Sequence, residues 1–335
     1  MDTSNLKQYI EKVPRADDGF CVSFDVTDVA NWQTFFAKHG FVVVKVLTKE
    51  ECAATRDEFF ATVNAQPRPD GEPRTRPVSL NDPLSWESEN WPNGRGKYLV
   101  QHPAITPCAL RNRTHPNVYA LYSRLFNTPR VFANVDVWGV MRGTSELPCE
   151  PSERPEWRQH LDPHWDVNPR RYQEARKAGK PPLFQGVLAL VDCDDLTGGF
   201  TIAPGSAVHL DKWVAAVPPQ KSERENHYDT SPSDPWRPLT QPVPIREGEM
   251  VVWDSGSLHA NYSNHGPNMR IVQYLRCSTD DFPDDPQWGA FLPQHADKKF
   301  PGINLAEAAK AADLQGTALQ MLGLAPYPND PKKKK

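Results

Sequence analysis

The chain has no long apolar run, no closely spaced cysteine pair and no surplus of positive charge, and each absence narrows what it can be. Its mainly apolar stretches, such as 41–46 and 186–191, fall far short of the ~20 residues that a membrane-spanning helix needs. The six cysteines (Cys21, Cys52, Cys108, Cys149, Cys193 and Cys277) contain no C-x-x-C pair. That scatter fits free thiols in a reducing compartment better than a disulfide framework. A formal charge of −4 and a pI near 6.2 give no electrostatic footprint for nucleic acid. Residues 1–5 carry neither the basic nor the apolar region of a secretory leader. The expectation is a cytoplasmic protein with no nucleic-acid or membrane partner; its oligomeric state is not legible. Two N-x-S/T sequons occur, at Asn112 and Asn261.

Proline, in contrast, is abundant, at 34 of 335 residues. It cannot donate to a sheet ladder and collects in turns, loops and edges. Dense clusters at 66–92, 146–169, 217–244 and 281–301 therefore mark the connections between regular elements. Residues 28–39 read as a helix, with Asp28 as N-cap, Val29, Trp32, Phe35 and Phe36 at helical spacing, and Gly40 closing it. The β-branched run 41–47 reads as a strand. Thr48 with Glu51 forms a capping box that opens a helix over 49–63, with Cys52, Phe59 and Val63 on one face. A third helix is expected at 116–126.

From residue 131 the pattern changes to short strands at 131–141, 183–193, 199–203, 249–254, 258–263 and 269–277. A helix returns at 304–322. This is the pattern of a mainly β, jelly-roll or cupin-like sandwich with flanking helices. One domain over 1–335 accounts for it: helical support in 1–130, a β core in 131–278, and a loop and helix in 279–335. Within the core, 211–245 is too long and polar for a hairpin and reads as a lid-like insertion. The tail Lys332–Lys335 reads as solvated.

The chemistry is carried by a spacing: His164-Trp165-Asp166, then His259, then Arg270 eleven residues later. Two histidines and one carboxylate on one face of a metal leave open positions, as in non-haem Fe(II) oxygenases, and the fixed guanidinium fork of Arg270 suits a carboxylate ligand. The same three ligands would also hold Zn²⁺ with an open site. A second triplet, His160-Leu161-Asp162, competes with the first. Alternate residues of an extended segment share a side, so either triplet could chelate. The favoured ligands are His164, Asp166 and His259, with His160 and Asp162 in supporting hydrogen bonds. His265 and His209 are alternatives for the third ligand; His209 follows a Pro-Gly-Ser turn and reads as structural.

Three segments resemble the phytanoyl-CoA dioxygenase-like family. They are Gly198-Gly199-Phe200-Thr201-Ile202-Ala203-Pro204-Gly205-Ser206, the stretch 248–259 with Asn264 and Arg270 beyond it, and the opening 39–51. The similarity touches roughly 28–64 and 131–278. It implies a double-stranded β-helix and an Fe(II)- and 2-oxoglutarate-dependent dioxygenase, which uses O₂ to hydroxylate a small-molecule C–H bond and releases succinate and CO₂. It further implies that Arg270 clamps the far carboxylate of 2-oxoglutarate, with Asn261 adding a hydrogen bond. Asp166 at the ligand position argues against halogenation. Trp165, Asn134, Asp136 and Arg276 are expected to face substrate; each has a structural alternative in packing or ion pairing. No basic cluster suits a coenzyme A moiety. The rival readings are a cupin-like isomerase or hydrolase that does not use 2-oxoglutarate, and a non-catalytic binding member of the family.

Overall fold

The computed structural model describes residues 4–68, 71–92, 99–100, 105–134, 136–145, 154–220, 227–279 and 304–328. The N-terminal part runs β1 (Ser23–Asp25), α1 (Val29–His39), β2 (Phe41–Lys45), α2 (Lys49–Ala65), β3 (Leu99–Val100), α3 (Pro107–Arg113) and α4 (Pro116–Leu125). The middle part adds β4 (Phe132–Asn134), β5 (Trp138–Met141), β6 (Leu161–Trp165), α5 (Pro169–Lys177), β7 (Phe184–Ala189), β8 (Gly199–Ile202) and α6 (Leu210–Ala216). The chain continues through β9 (Tyr228–Asp229), β10 (Gln241–Pro242), β11 (Glu249–Asp254), β12 (His259–Tyr262) and β13 (Arg270–Ser278). It ends in α7 (Leu305–Ala311) and α8 (Thr317–Met321).

The strands form two sheets. The larger has the order β1-β2-β11-β7-β13-β5-β3, with β4 also on β13; the smaller has the order β10-β8-β12-β6-β9. Every pairing is antiparallel except β1 with β2. Val43, Val187, Val251 and Val272 of the large sheet pack with Phe200 and Ile202 of the small one, so the sheets are joined by an apolar layer. On its other face the large sheet meets the helices through Trp32, Phe59, Leu110 and Tyr122, all almost wholly buried. This is a β-rich core with flanking helices, as the strand pattern predicts.

Local chemistry explains the N-terminal elements. Gly40 adopts the left-handed conformation, φ 75°, and its N–H donates to the Phe36 carbonyl at 2.8 Å, closing α1 and turning the chain into β2. The Thr48–Glu51 capping box forms in both directions, and α2 buries Cys52, Thr55, Phe59 and Val63. Asp28 occupies the N-cap position of α1, but its carboxylate accepts from no backbone N–H there; it accepts from the Asn31 side-chain amide instead.

Other expectations are corrected. The single strand expected at 131–141 is two, β4 and β5. The fully buried guanidinium of Arg113 donates to the backbone carbonyls of Asn134 and Asp136, and the Asp136 carboxylate accepts from its neighbour Val137 N–H. The helix expected over 304–322 breaks into α7 and α8, where Asp313 and Gly316 take positive φ. Helices α3 and α5 went unforeseen; each carries proline in the first turn, capped by Thr106 or Asn168. The segment 211–245 supplies β9 and β10 to the small sheet, and its Trp213 and Trp236 are completely buried. Residues 221–226 of that segment, Cys149, and the tail Lys332–Lys335 lie outside the described residues. The other five cysteines are free and buried. No helix among the described residues is long and apolar enough to cross a membrane.

Candidate active site

The site begins with a register. On the antiparallel pair β6 and β12, His164 lies directly opposite His259, so both side chains leave the same face of the small sheet. Their rings are 4.5 Å apart between centroids. Asp166, two residues beyond His164, returns to that side. Its Oδ1 is 3.5 Å from Nε2 of His164, and its Oδ2 is 3.3 Å from Nε2 of His259. One potential ligand atom from each of the three residues falls within a 4.8 Å group.

Both rings are oriented by the backbone. Nδ1 of His164 donates to the carbonyl of Asp162 at 2.7 Å, and Nδ1 of His259 donates to the carbonyl of Ser257 at 3.1 Å. A carbonyl can only accept, so each ring carries a proton on Nδ1 and leaves Nε2 facing Asp166. Burial holds the His259 pKa down, reinforced by His164, which favours the neutral imidazole that a metal requires. For Asp166, burial would raise the pKa, but contacts with His164, His227 and His259 hold it well below the carboxylate range. Two imidazoles with Nε2 turned inward and a carboxylate form a donor set that fits a divalent metal with open positions.

His160 is not in this group. Its side chain is 64% exposed, and the Asp162 carboxylate pairs outward with Arg237 at 2.8 Å. The supporting role expected of Asp162 comes from its main-chain carbonyl instead. His265 is exposed in the loop after β12, and His209 stacks on Tyr9 at 4.9 Å.

Arg270 begins β13 and is 1% exposed. Its Nε and Nη1 have no hydrogen-bond partner, and no carboxylate pairs with it among the described residues. Burial raises the thiol pKa of Cys193, and the adjacent Arg270 guanidinium opposes that rise. The space beside Arg270 depends on glycine: a Cβ on Gly199 would lie 2.8 Å from Nε and 3.2 Å from Cζ. A buried guanidinium without a counter-charge is costly, so its geometry fits a carboxylate ligand such as 2-oxoglutarate.

Between the sheets lies a cavity of about 300 Å³ lined by His164, Asp166 and His259, and also by Asn261, Asp136 and Arg276. Arg276 Nε meets Asp136 Oδ2 at 2.9 Å. Two of the residues expected to face substrate are elsewhere. Trp165 is completely buried on the opposite side of β6, packing on Trp213 and Tyr228 while its indole N–H donates to the Gly256 carbonyl. Strand alternation turns it away from the side that His164 and Asp166 share. Asn134 is buried and accepts from the Ser278 hydroxyl, and it is not among the residues lining the cavity.

Three side chains were missed. His227 places Nδ1 3.8 Å from Asp166 Oδ1 and Nε2 2.8 Å from Asp229. No local pattern announces it. Gln185 and Trp253 line the cavity wall, and Gln185 had a signal: it is the one amide in the apolar run 184–190.

Residues 36–272 match the family described as phytanoyl-CoA dioxygenase (PhyH). A Dictyostelium discoideum protein described as "Putative phytanoyl-CoA dioxygenase" is 23% identical, the match covering 79% of this chain and 85% of that one. Among solved structures, GlcNAc Inducible Gene 2 of Candida albicans superposes with a TM-score of 0.57 at 13% identity, over 92% of this chain and 80% of that one. The epimerase SnoN, solved with Fe3+, alpha ketoglutarate and nogalamycin RO, gives a TM-score of 0.48 at 18% identity, over 75% of this chain and 83% of that one. With well over half its length matched, the chain belongs to the phytanoyl-CoA dioxygenase (PhyH) family.

Proposed function

We propose that the protein is an Fe(II)- and 2-oxoglutarate-dependent oxygenase that hydroxylates a C–H bond of a small molecule, and that its two sheets are those of a double-stranded β-helix. His164, Asp166 and His259 hold the metal, their rings fixed by the carbonyls of Asp162 and Ser257. Arg270 binds the far carboxylate of 2-oxoglutarate, and Asn261 borders the cosubstrate from the same strand as His259. When bound, iron and cosubstrate supply the oxidative decarboxylation by O₂ that yields succinate, CO₂ and an oxidised substrate. The protein's own residues position the cosubstrate and limit water: Phe200 and Trp253 stack at 4.3 Å beside His259, giving the metal an apolar flank. His227, just before β9, borders Asp166 on another side.

The observation that carries this reading is Arg270. A metal site alone serves a hydrolase or isomerase equally well; a buried guanidinium with unpaired N–H groups asks for a carboxylate. The test is succinate formation. Anaerobically loaded Fe(II) protein given 2-oxoglutarate and O₂, with candidate substrates, is expected to release succinate in step with substrate oxidation. Substrate conversion without succinate would assign the site to a different metal chemistry.

A further inference from the structure

The cavity wall contributed by the large sheet carries two donors that the oxygenase reading leaves unused. Strand alternation along β7 turns Gln185, Val187 and Ala189 to one face, where Val187 and Ala189 pack with Phe41, Val251 and Val272 between the sheets. An aliphatic residue at 185 would continue that layer; an amide stands there instead. Trp253 of β11 is its register partner, so indole and amide are neighbours on adjacent strands, and both residues line the cavity. Gln185 is 8% exposed and Trp253 3%, yet no group among the described residues accepts from Nε2 of the one or Nε1 of the other. A buried donor left unpaired bears its full desolvation cost, whereas an apolar group of the same shape there is nearly neutral or stabilising. Two such donors side by side on a cavity wall call for an acceptor oxygen brought by a ligand.

The charges decide what kind of oxygen. Arg276 also borders the cavity, but its Nε meets Asp136 Oδ2 at 2.9 Å, so this end carries an ion pair and not a free cation. A carboxylate or phosphate placed against Gln185 would give up its hydration without gaining a counter-charge, in the same cavity as the Asp136 carboxylate. An ammonium has no lone pair with which to accept from either N–H. An uncharged carbonyl meets neither obstacle, and its oxygen has two lone pairs, one for the amide and one for the indole. Leu161, Val137 and Phe200 offer apolar contacts to the rest of the molecule, and the volume of about 300 Å³ lies at the small end of ligand pockets.

We propose that the substrate is a compact uncharged carbonyl compound. Its carbonyl oxygen is held by the Gln185 amide and the Trp253 indole on the large sheet, and its hydrocarbon part is directed toward His164, Asp166 and His259 on the small one. Oxidation of that compound rests on the oxygenase reading above; its binding does not.

The probes are cyclohexanone and hexanamide as carbonyl compounds, hexanoate as the anion, hexylamine as the cation, and methylenecyclohexane as the shape of cyclohexanone without an acceptor. Binding is followed by calorimetry, anaerobically in the Fe(II) protein saturated with 2-oxoglutarate and again in the metal-free protein. At least one carbonyl probe should bind roughly tenfold or more tightly than its charged or acceptor-free counterparts, the scale of hydrogen bonds to buried donors. Gln185→Leu and Trp253→Phe should each remove most of that preference. Relieved of an unpaired amide, Gln185→Leu should also melt no lower than wild type in the absence of probe. Tighter binding of hexanoate or hexylamine, equal binding of cyclohexanone and methylenecyclohexane, or no binding of any probe overturns the proposal. So does a preference that survives both substitutions, or a lower melt in Gln185→Leu, which would mark a structural partner for the amide. A carbonyl preference in the metal-free protein, together with failure of 2-oxoglutarate to bind the Fe(II) form, would contradict the oxygenase reading and leave this one standing.

Discussion

Gly199 and Arg270 occupy adjoining space so closely that a single methyl group at position 199 would fall 2.8 Å from Nε of the arginine. The glycine also adopts φ 134°, where L side chains are strained. Gly199→Ala is therefore expected to displace the guanidinium and to destabilise the fold by about 1–3 kcal/mol through overpacking. Affinity for 2-oxoglutarate should fall while Fe(II) binding persists. Parallel titrations of metal and cosubstrate, with a thermal melt, check it; unchanged cosubstrate affinity would mean that Arg270 does not work from this position.

The metal centre makes a prediction about register. His164→Ala, Asp166→Ala and His259→Ala should each abolish turnover, and wild type should bind one Fe(II) per chain. His160→Ala should keep its iron, because that side chain is 64% exposed. Anaerobic iron titration of the four variants distinguishes the triplets. Loss of iron in His160→Ala with retention in His164→Ala would reverse the assignment.

Asp254 gives a pH dependence. Burial raises its pKa above 3.8, opposed by hydrogen bonds from Gly256 N–H and the Tyr172 hydroxyl. A carboxyl raised on folding contributes stability below its unfolded pKa and loses that contribution as pH rises through the folded value. An asparagine keeps an acceptor for both donors and never ionises. The melting temperature of Asp254→Asn relative to wild type should therefore be higher near about pH 7 than near about pH 4. A difference independent of pH would show that Asp254 does not titrate with a raised pKa.

The site was more legible in the sequence than the elements around it. His164, Asp166 and His259 announce themselves because chelation demands fixed residue types at fixed offsets. Arg270 was legible from its distance to His259 and Gly199 only as part of a family-like segment; that the glycine makes room for the guanidinium required the structure. The expected strand at 131–141 failed for a long-range reason: Arg113, more than twenty residues earlier, draws in the carbonyls that would have continued the ladder. Trp165 was placed against substrate by its position in the motif, whereas alternation along β6 sends it into the core with Trp213 and Trp236. His227 could not be foreseen, since only the pairing of β9 with β6 brings it to Asp166. Gln185 was visible as a lone amide, but its meaning required the register that sets it beside Trp253.

The most direct test concerns Arg270. A guanidinium donates two parallel hydrogen bonds to a carboxylate, whereas a lysine ammonium offers a point charge with a different reach. Titrating 2-oxoglutarate into the anaerobic Fe(II) protein, and following the metal-to-ligand charge-transfer band, gives the dissociation constant for wild type, Arg270→Lys and Arg270→Ala. Arg270→Ala is predicted to lose roughly 2–5 kcal/mol of cosubstrate binding with Fe(II) affinity nearly intact, and Arg270→Lys to fall between it and wild type. An unchanged dissociation constant in Arg270→Ala would contradict the account.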